Sequence, residues 1–158
     1  MTENYLQIMA ESLEKKLEVL DHIYEVNRRQ FEISSVKPFD VEAYDVVVDE
    51  KSTLIDELNR LDDGFTSTYE LVRAEVQKEP EKYRQQVMKM QELVRAAVDK
   101  SVSIEAQEKR NKASMEVALS SKRKEIKERR ISASAATKYY SAVSKINNVD
   151  PQLMDRKK

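Results

Sequence analysis

His22 is the only histidine in the chain, and it sits among carboxylates: Asp21 beside it, Glu18 four residues earlier and Glu25 three later. On a helix that spacing gathers an imidazole and acidic side chains on one face. This is half of the carboxylate–histidine metal site that helical bundles build. The other half is missing, because a dinuclear site draws a histidine from each of two helices. His22 therefore reads as a solvated helix-surface residue. With no cysteine present, thiolate metal sites, thiol nucleophiles and disulfides are excluded. No Ser/His/Asp constellation can be assembled. A single glycine, Gly64, leaves nothing from which to build a phosphate-cradling loop, a nucleophile elbow or a dinucleotide fingerprint. We assign no catalytic, metal or cofactor residue. The expectation is a non-enzymatic protein that works by binding.

Two stretches have the chemistry of binding. The run 122–130 carries Lys122, Arg123, Lys124, Lys127, Arg129 and Arg130 against Glu125 and Glu128. It suits nucleic acid or an acidic membrane surface, or else it is simply a solvated helix face, since acids interleave it and Ile126 is its one large apolar residue. Farther on, Ala136, Tyr139, Tyr140, Val143 and Ile146 form one apolar face with Lys138, Ser141 and Lys145 opposite. That face fits helix-in-groove recognition, or packing against the chain itself.

The elements that must position these stretches are long helices. Charged residues make up 36% of the 158 and aromatics 6%, a profile of thin helical seams. In 4–33, Leu6, Ala10, Leu13, Leu17, Leu20, Tyr24 and Phe31 alternate at spacings of four and three, with Asn27 at the missing seam position. Ile8, Met9, Ile23 and Ile33 widen the seam, so this helix should meet two neighbours. Pro38 disfavours helix at Lys37. Asp40 is a suitable N-cap for the next helix, with Phe39 and Tyr44 at the spacing of a hydrophobic staple. The short loop implies an antiparallel hairpin.

The second helix, 41–77, has the seam Tyr44, Val47, Lys51, Leu54, Leu58, Leu61, Phe65, Tyr69, Val72 and Val76. Two successive spacings of four near Gly64 predict a local change of supercoil or a bend. Lys51 on the seam reads as a lysine whose stem is buried while its ammonium snorkels to water. After Glu79-Pro80-Glu81, which suits a first helical turn, a third helix shows Tyr83, Val87, Met90, Val94, Ala97, Ser101 and Ile104. The seam then thins through Glu108, Asn111, Met115, Ala118 and Lys122.

Length decides how these parts fit. At about 1.5 Å per residue the first two helices span roughly 45 and 55 Å, whereas a third helix reaching residue 147 would span roughly 100 Å. The hairpin covers about half of that, so the third helix should lose its partner near Lys109. The reading is an all-α fold: an antiparallel helical hairpin plus a long third helix, in a coiled-coil-like up-down arrangement with a C-terminal extension. Its units are 1–108, a three-helix bundle with helices at about 4–33, 41–77 and 80–108 and beyond, and 109–158, an extended amphipathic segment. Residues 1–63 hold 16 acids and 7 bases, and the remainder 13 acids and 21 bases. Either an acidic hairpin packs against a basic helix, or the basic half meets an acidic partner. The first residues carry no basic patch or apolar run of the signal-peptide type, and no apolar stretch approaches the roughly 20 residues of a membrane span, so a cytoplasmic protein without stable membrane insertion is expected.

Asp45, Glu50-Lys51-Ser-Thr-Leu54 and Leu58-Asn-Arg-Leu61 in the second helix resemble the E-K-x-x-L pattern of FlgN-type flagellar export chaperones. Lys138-Tyr139-Tyr140 through Asp150-Pro151-Gln152-Leu153-Met154-Asp155 resembles the end of clostridial-type members. The resemblance implies a cytoplasmic chaperone of type III flagellar export. Such a protein binds hook-associated proteins of the hook–filament junction, prevents their premature assembly and delivers them to the export gate protein FlhA. It also implies that Tyr139 or Tyr140 docks to the gate. On this reading the partner-binding residues are Met115, Leu119, Ile126, Ile131, Ala136, Tyr139, Tyr140, Val143 and Ile146. No nucleic acid is involved. The alternative is a structural coiled-coil protein that self-associates, as a homodimer, through the overhanging helix.

Overall fold

In a computed structural model, residues 1–123 are described. They form three helices: α1 (Thr2–Ser35), α2 (Val41–Lys78) and α3 (Arg84–Ser121). α1 packs along both α2 and α3, which approach each other far less closely. The fold is all-α, as the heptad pattern requires, and α1 does meet two neighbours.

The turn between α1 and α2 follows the capping chemistry of its residues. The Asp40 carboxylate accepts a hydrogen bond from the Ala43 backbone N–H at 3.0 Å. This satisfies one of the N–H groups that a helix start leaves unpaired. Phe39 and Tyr44 meet edge to face with ring centroids 5.3 Å apart, and both are buried. The Lys37–Pro38 peptide bond is cis. α2 returns antiparallel to α1: the Lys16 ammonium lies 2.9 Å from the Asp62 carboxylate, and Gln30 donates to the Tyr44 hydroxyl at 2.8 Å. Gly64 lies within α2 without interrupting it.

α3 begins later than the proline suggests. Residues 80–83 form a turn, closed by the Lys82 N–H on the Glu79 carbonyl, and the helix starts at Arg84. Tyr83, buried at the head of α3, donates its hydroxyl to the Glu75 carboxylate at 3.3 Å. From there α3 runs parallel to α1. Lys100 reaches Asp21 at 3.0 Å, and the Ser34 and Ser114 hydroxyls meet at 2.6 Å.

Two apolar clusters divide the core. One joins Leu6, Met9, Leu13, Val72, Tyr83, Met90 and Val94 at the α2–α3 end. The other joins Leu20, Ile23, Val26, Phe39, Tyr44, Val47, Ile55, Leu58, Ile104, Met115 and Ala118 toward the α1–α2 end. Removing a side chain of this size from water contributes about 1.5–3 kcal/mol. Ile8, placed on the widened seam by spacing, is instead exposed.

Helix lengths alone put the end of α3's partner near Lys109, and the structure carries it farther. Asn111, Met115 and Ala118 are buried. The reason is register: α1 residues face α3 residues about eighty positions later, as Ser34 faces Ser114. α1 runs on to Ser35, so α3 is covered almost to its end. The thinning of apolar residues after Ile104 marks a buried polar layer rather than the loss of a neighbour.

Candidate functional site

That polar layer centres on Lys51. Spacing puts this residue on the α2 seam, and the structure removes its ammonium from water altogether, at 0% exposure. The ammonium does not snorkel to water as spacing suggests, because acceptors surround the nitrogen within the core. Lys51 Nζ donates to Glu108 Oε1 and Oε2 at 2.6 and 2.7 Å, to Asn27 Oδ1 at 2.8 Å and to Gln30 Oε1 at 2.9 Å. All three helices contribute: Asn27 and Gln30 from α1, Lys51 from α2, Glu108 from α3.

A second ring supports the first. Asn27 Nδ2 donates to Gln107 Oε1 at 3.2 Å, and Gln107 Nε2 donates to the Tyr24 carbonyl at 3.1 Å. Asn111 Nδ2 donates to the Asn27 carbonyl at 3.0 Å. The Arg110 guanidinium lies over the Phe31 ring, 4.0 Å from its centroid. Burial pushes Lys51 down to about 8, against the opposing pull of Glu108. Burial pushes Glu108 up, against the opposing pull of Lys51 and a hydrogen bond from Asn27. The two groups face each other rather than solvent. An arrangement of this kind fixes which residues sit at which level, because a shift of either helix leaves a charge buried and unpaired.

The second feature is an open cleft of about 520 Å³ at the α1–α2 end. Val36, Pro38 and Phe39 from the loop form one wall, and Val117 and Ala118 from α3 the other. Ser34, Ser35, Ser114 and Ser121 supply hydroxyls, and Lys37 and Lys122 supply cations. Val36 and Val117 are 61% and 66% exposed.

The expected binding residues divide between core and tail. Met115 is buried in the bundle core and Leu119 is partly buried against it, so both serve the fold. Ile126, Ile131, Ala136, Tyr139, Tyr140, Val143 and Ile146 lie outside the described residues. Glu50, Lys51, Leu54 and Leu58, from the pattern resembling export chaperones, are used inside the bundle. Lys51, Leu54 and Leu58 are core, and Glu50 accepts from Arg29 at 2.6 Å. Asp45 is half-buried, and burial followed by the neighbouring Asp49 pushes its carboxyl up.

His22 is exposed, with Nε2 3.6 Å from a Glu50 oxygen. Among the described residues no group of three or more histidine, cysteine or acidic side chains is placed to hold a metal ion. None of their helices is long and apolar enough to cross a membrane. Comparison with protein-family models, curated proteins and solved structures finds no match to this chain.

Proposed function

We propose that this chain is a non-enzymatic, cytoplasmic chaperone of flagellar type III export. In this reading it binds hook-associated proteins through its amphipathic C-terminal segment and presents them to FlhA. The three-helix bundle is the platform. The observation that carries the reading is the apolar cleft beside the C-terminal end of α3 at Ser121, together with the sequence that follows, in which Ala136, Tyr139, Tyr140, Val143 and Ile146 share one amphipathic face. An amphipathic face of that spacing is what a partner helix completes. The resemblance of the Glu50–Leu61 and Lys138–Asp155 stretches to FlgN-type chaperones supplies the partner class.

The alternative is a coiled-coil protein that self-associates through the segment beyond the bundle; for either reading the available segment starts after Ala118, which α1 covers. The test uses the full chain, since cutting at residue 108 would remove core residues. Purified hook-associated proteins are titrated calorimetrically into the unmodified chain and into a variant with Tyr139, Tyr140, Val143 and Ile146 all changed to Asp. The expected result is binding by the unmodified chain and loss of roughly two orders of magnitude or more in the variant. Equal binding by both, or by neither, overturns the reading.

A further inference from the structure

The cleft at the α1–α2 end asks for an occupant. Two aliphatic side chains, Val36 and Val117, stand largely in water on its opposite walls, with Pro38 and Phe39 behind. An apolar recess with cations at its rim suits a short apolar segment flanked by carboxylates. Lys37 and Lys122 are those cations.

The same chain carries such a segment. Asp150-Pro151-Gln152-Leu153-Met154-Asp155 places two adjacent apolar side chains between two acids. Pro151 interrupts any helix there and favours extended backbone at the residue before it. The connection is short in space, because Lys122, one residue before the last described position, itself lines the cleft. Residues 124–149 form the tether. They span at most about 90 Å if extended, so a single reversal within them returns residues 150–155 to the point of departure, whereas one unbroken helix would end roughly 40 Å away. A tethered ligand needs little affinity of its own to stay bound, since its effective concentration is in the millimolar range.

We propose that the cleft is the docking site for residues 150–155 of the same chain, with Leu153 and Met154 seated between Val36 and Val117 and the two aspartates toward Lys37 and Lys122. The proposal is independent of the export reading, because it requires no flagellar protein.

The absence of native cysteine makes the test direct. Val117→Cys and Met154→Cys are introduced together in the full chain, and disulfide formation is followed under mild oxidation. Val117 is exposed, so the change leaves the core intact. A control pair combines Met154→Cys with Leu71→Cys. Leu71 is exposed on α2 at the opposite end of the bundle, roughly 40 Å from the cleft and within reach of an extended tether. Intramolecular crosslinking at 117–154 should be at least roughly tenfold faster than at 71–154. Leu153→Asp, added to the first pair, should bring its rate down to the control's. Equal rates for the two pairs, no crosslink, or no effect of Leu153→Asp overturns the proposal. Disulfide-linked dimers in place of the intramolecular product overturn it in favour of docking by a second copy.

Discussion

Both carboxylate oxygens of Glu108 lie within 2.7 Å of Lys51 Nζ, in a core where the lysine has no solvent access. The two residues are 57 positions apart and form a charged contact between α2 and α3. Lys51→Met leaves Glu108 buried without its countercharge, and Glu108→Leu leaves Lys51 likewise. Each should destabilise the full chain by about 3–5 kcal/mol, read as a lower urea midpoint. Lys51→Met combined with Glu108→Leu should recover part of the loss, because no isolated charge remains. A double variant as unstable as the sum of the two single variants would mean that the pair is not coupled.

The same pair gives the stability a pH dependence. Lys51 is held at about 8 in the fold against 10.5 in the free side chain. Between those values the unfolded chain holds a proton that the folded chain has released, so raising the pH through this window favours folding. Glu108 is displaced upward. Its folded form holds a proton that the unfolded form has lost, so its contribution is present below the ordinary carboxylate range and is lost as pH rises. Subtracting the Lys51→Met profile from that of the unmodified chain should leave a rise between pH 8 and 10.5. A flat difference would contradict the assignment.

Asp40 caps α2 through a single carboxylate contact with the Ala43 N–H. Asp40→Ala should cost about 1 kcal/mol, and Asp40→Asn should retain most of the stability, since asparagine caps nearly as well. Thermal unfolding of the three proteins distinguishes a capping role from a general surface effect, which would make the two substitutions equivalent.

Gly64 sits inside α2, and a Cβ built there meets nothing within 4 Å. Its backbone is not in the positive-φ region. Gly64→Ala should therefore stabilise the chain by about 1 kcal/mol through helix propensity and a less flexible unfolded state. A loss of stability in urea would show that the glycine has a packing role.

Ser101 is buried in α3, and its hydroxyl has no hydrogen-bond partner among the described residues. Removing an unsatisfied buried polar atom should be neutral or favourable, so Ser101→Ala is expected to gain up to about 1 kcal/mol. A substantial loss, measured in the same denaturation series, would point to a hydrogen bond made by that hydroxyl.

Position on the helices was legible from spacing; the meaning of a polar residue at a seam position was not. Heptad counting put Asn27, Lys51, Ser101, Glu108 and Asn111 on the inner faces, and all five are buried. What it could not supply was their pairing. A lysine on an apolar stripe looks the same whether its ammonium reaches water or meets a carboxylate 57 residues later, because the partner belongs to another helix in unknown register. That register also decided how far α1 covers α3, and a four-residue shift in the start of α3 together with parallel pairing to α1 was enough to move Met115 from a candidate contact surface into the core. The cleft was hidden for a related reason: its walls come from a loop and from a helix end about eighty residues away. The Asp40 cap and the Phe39–Tyr44 contact were readable because they are local.

The placement of Lys51 and Glu108 on α2 and α3 also orders events during synthesis. When α1 and α2 have left the ribosome, Asn27 and Gln30 are in place around the lysine but Glu108 has not yet emerged. At about 5–20 residues per second, it follows a few seconds later. For that interval the hairpin holds a cation it has no means to neutralise, and its inner face is wet. The bundle closes when the third helix arrives with the missing charge, so the final third of the described chain acts as the stopper that dries the core.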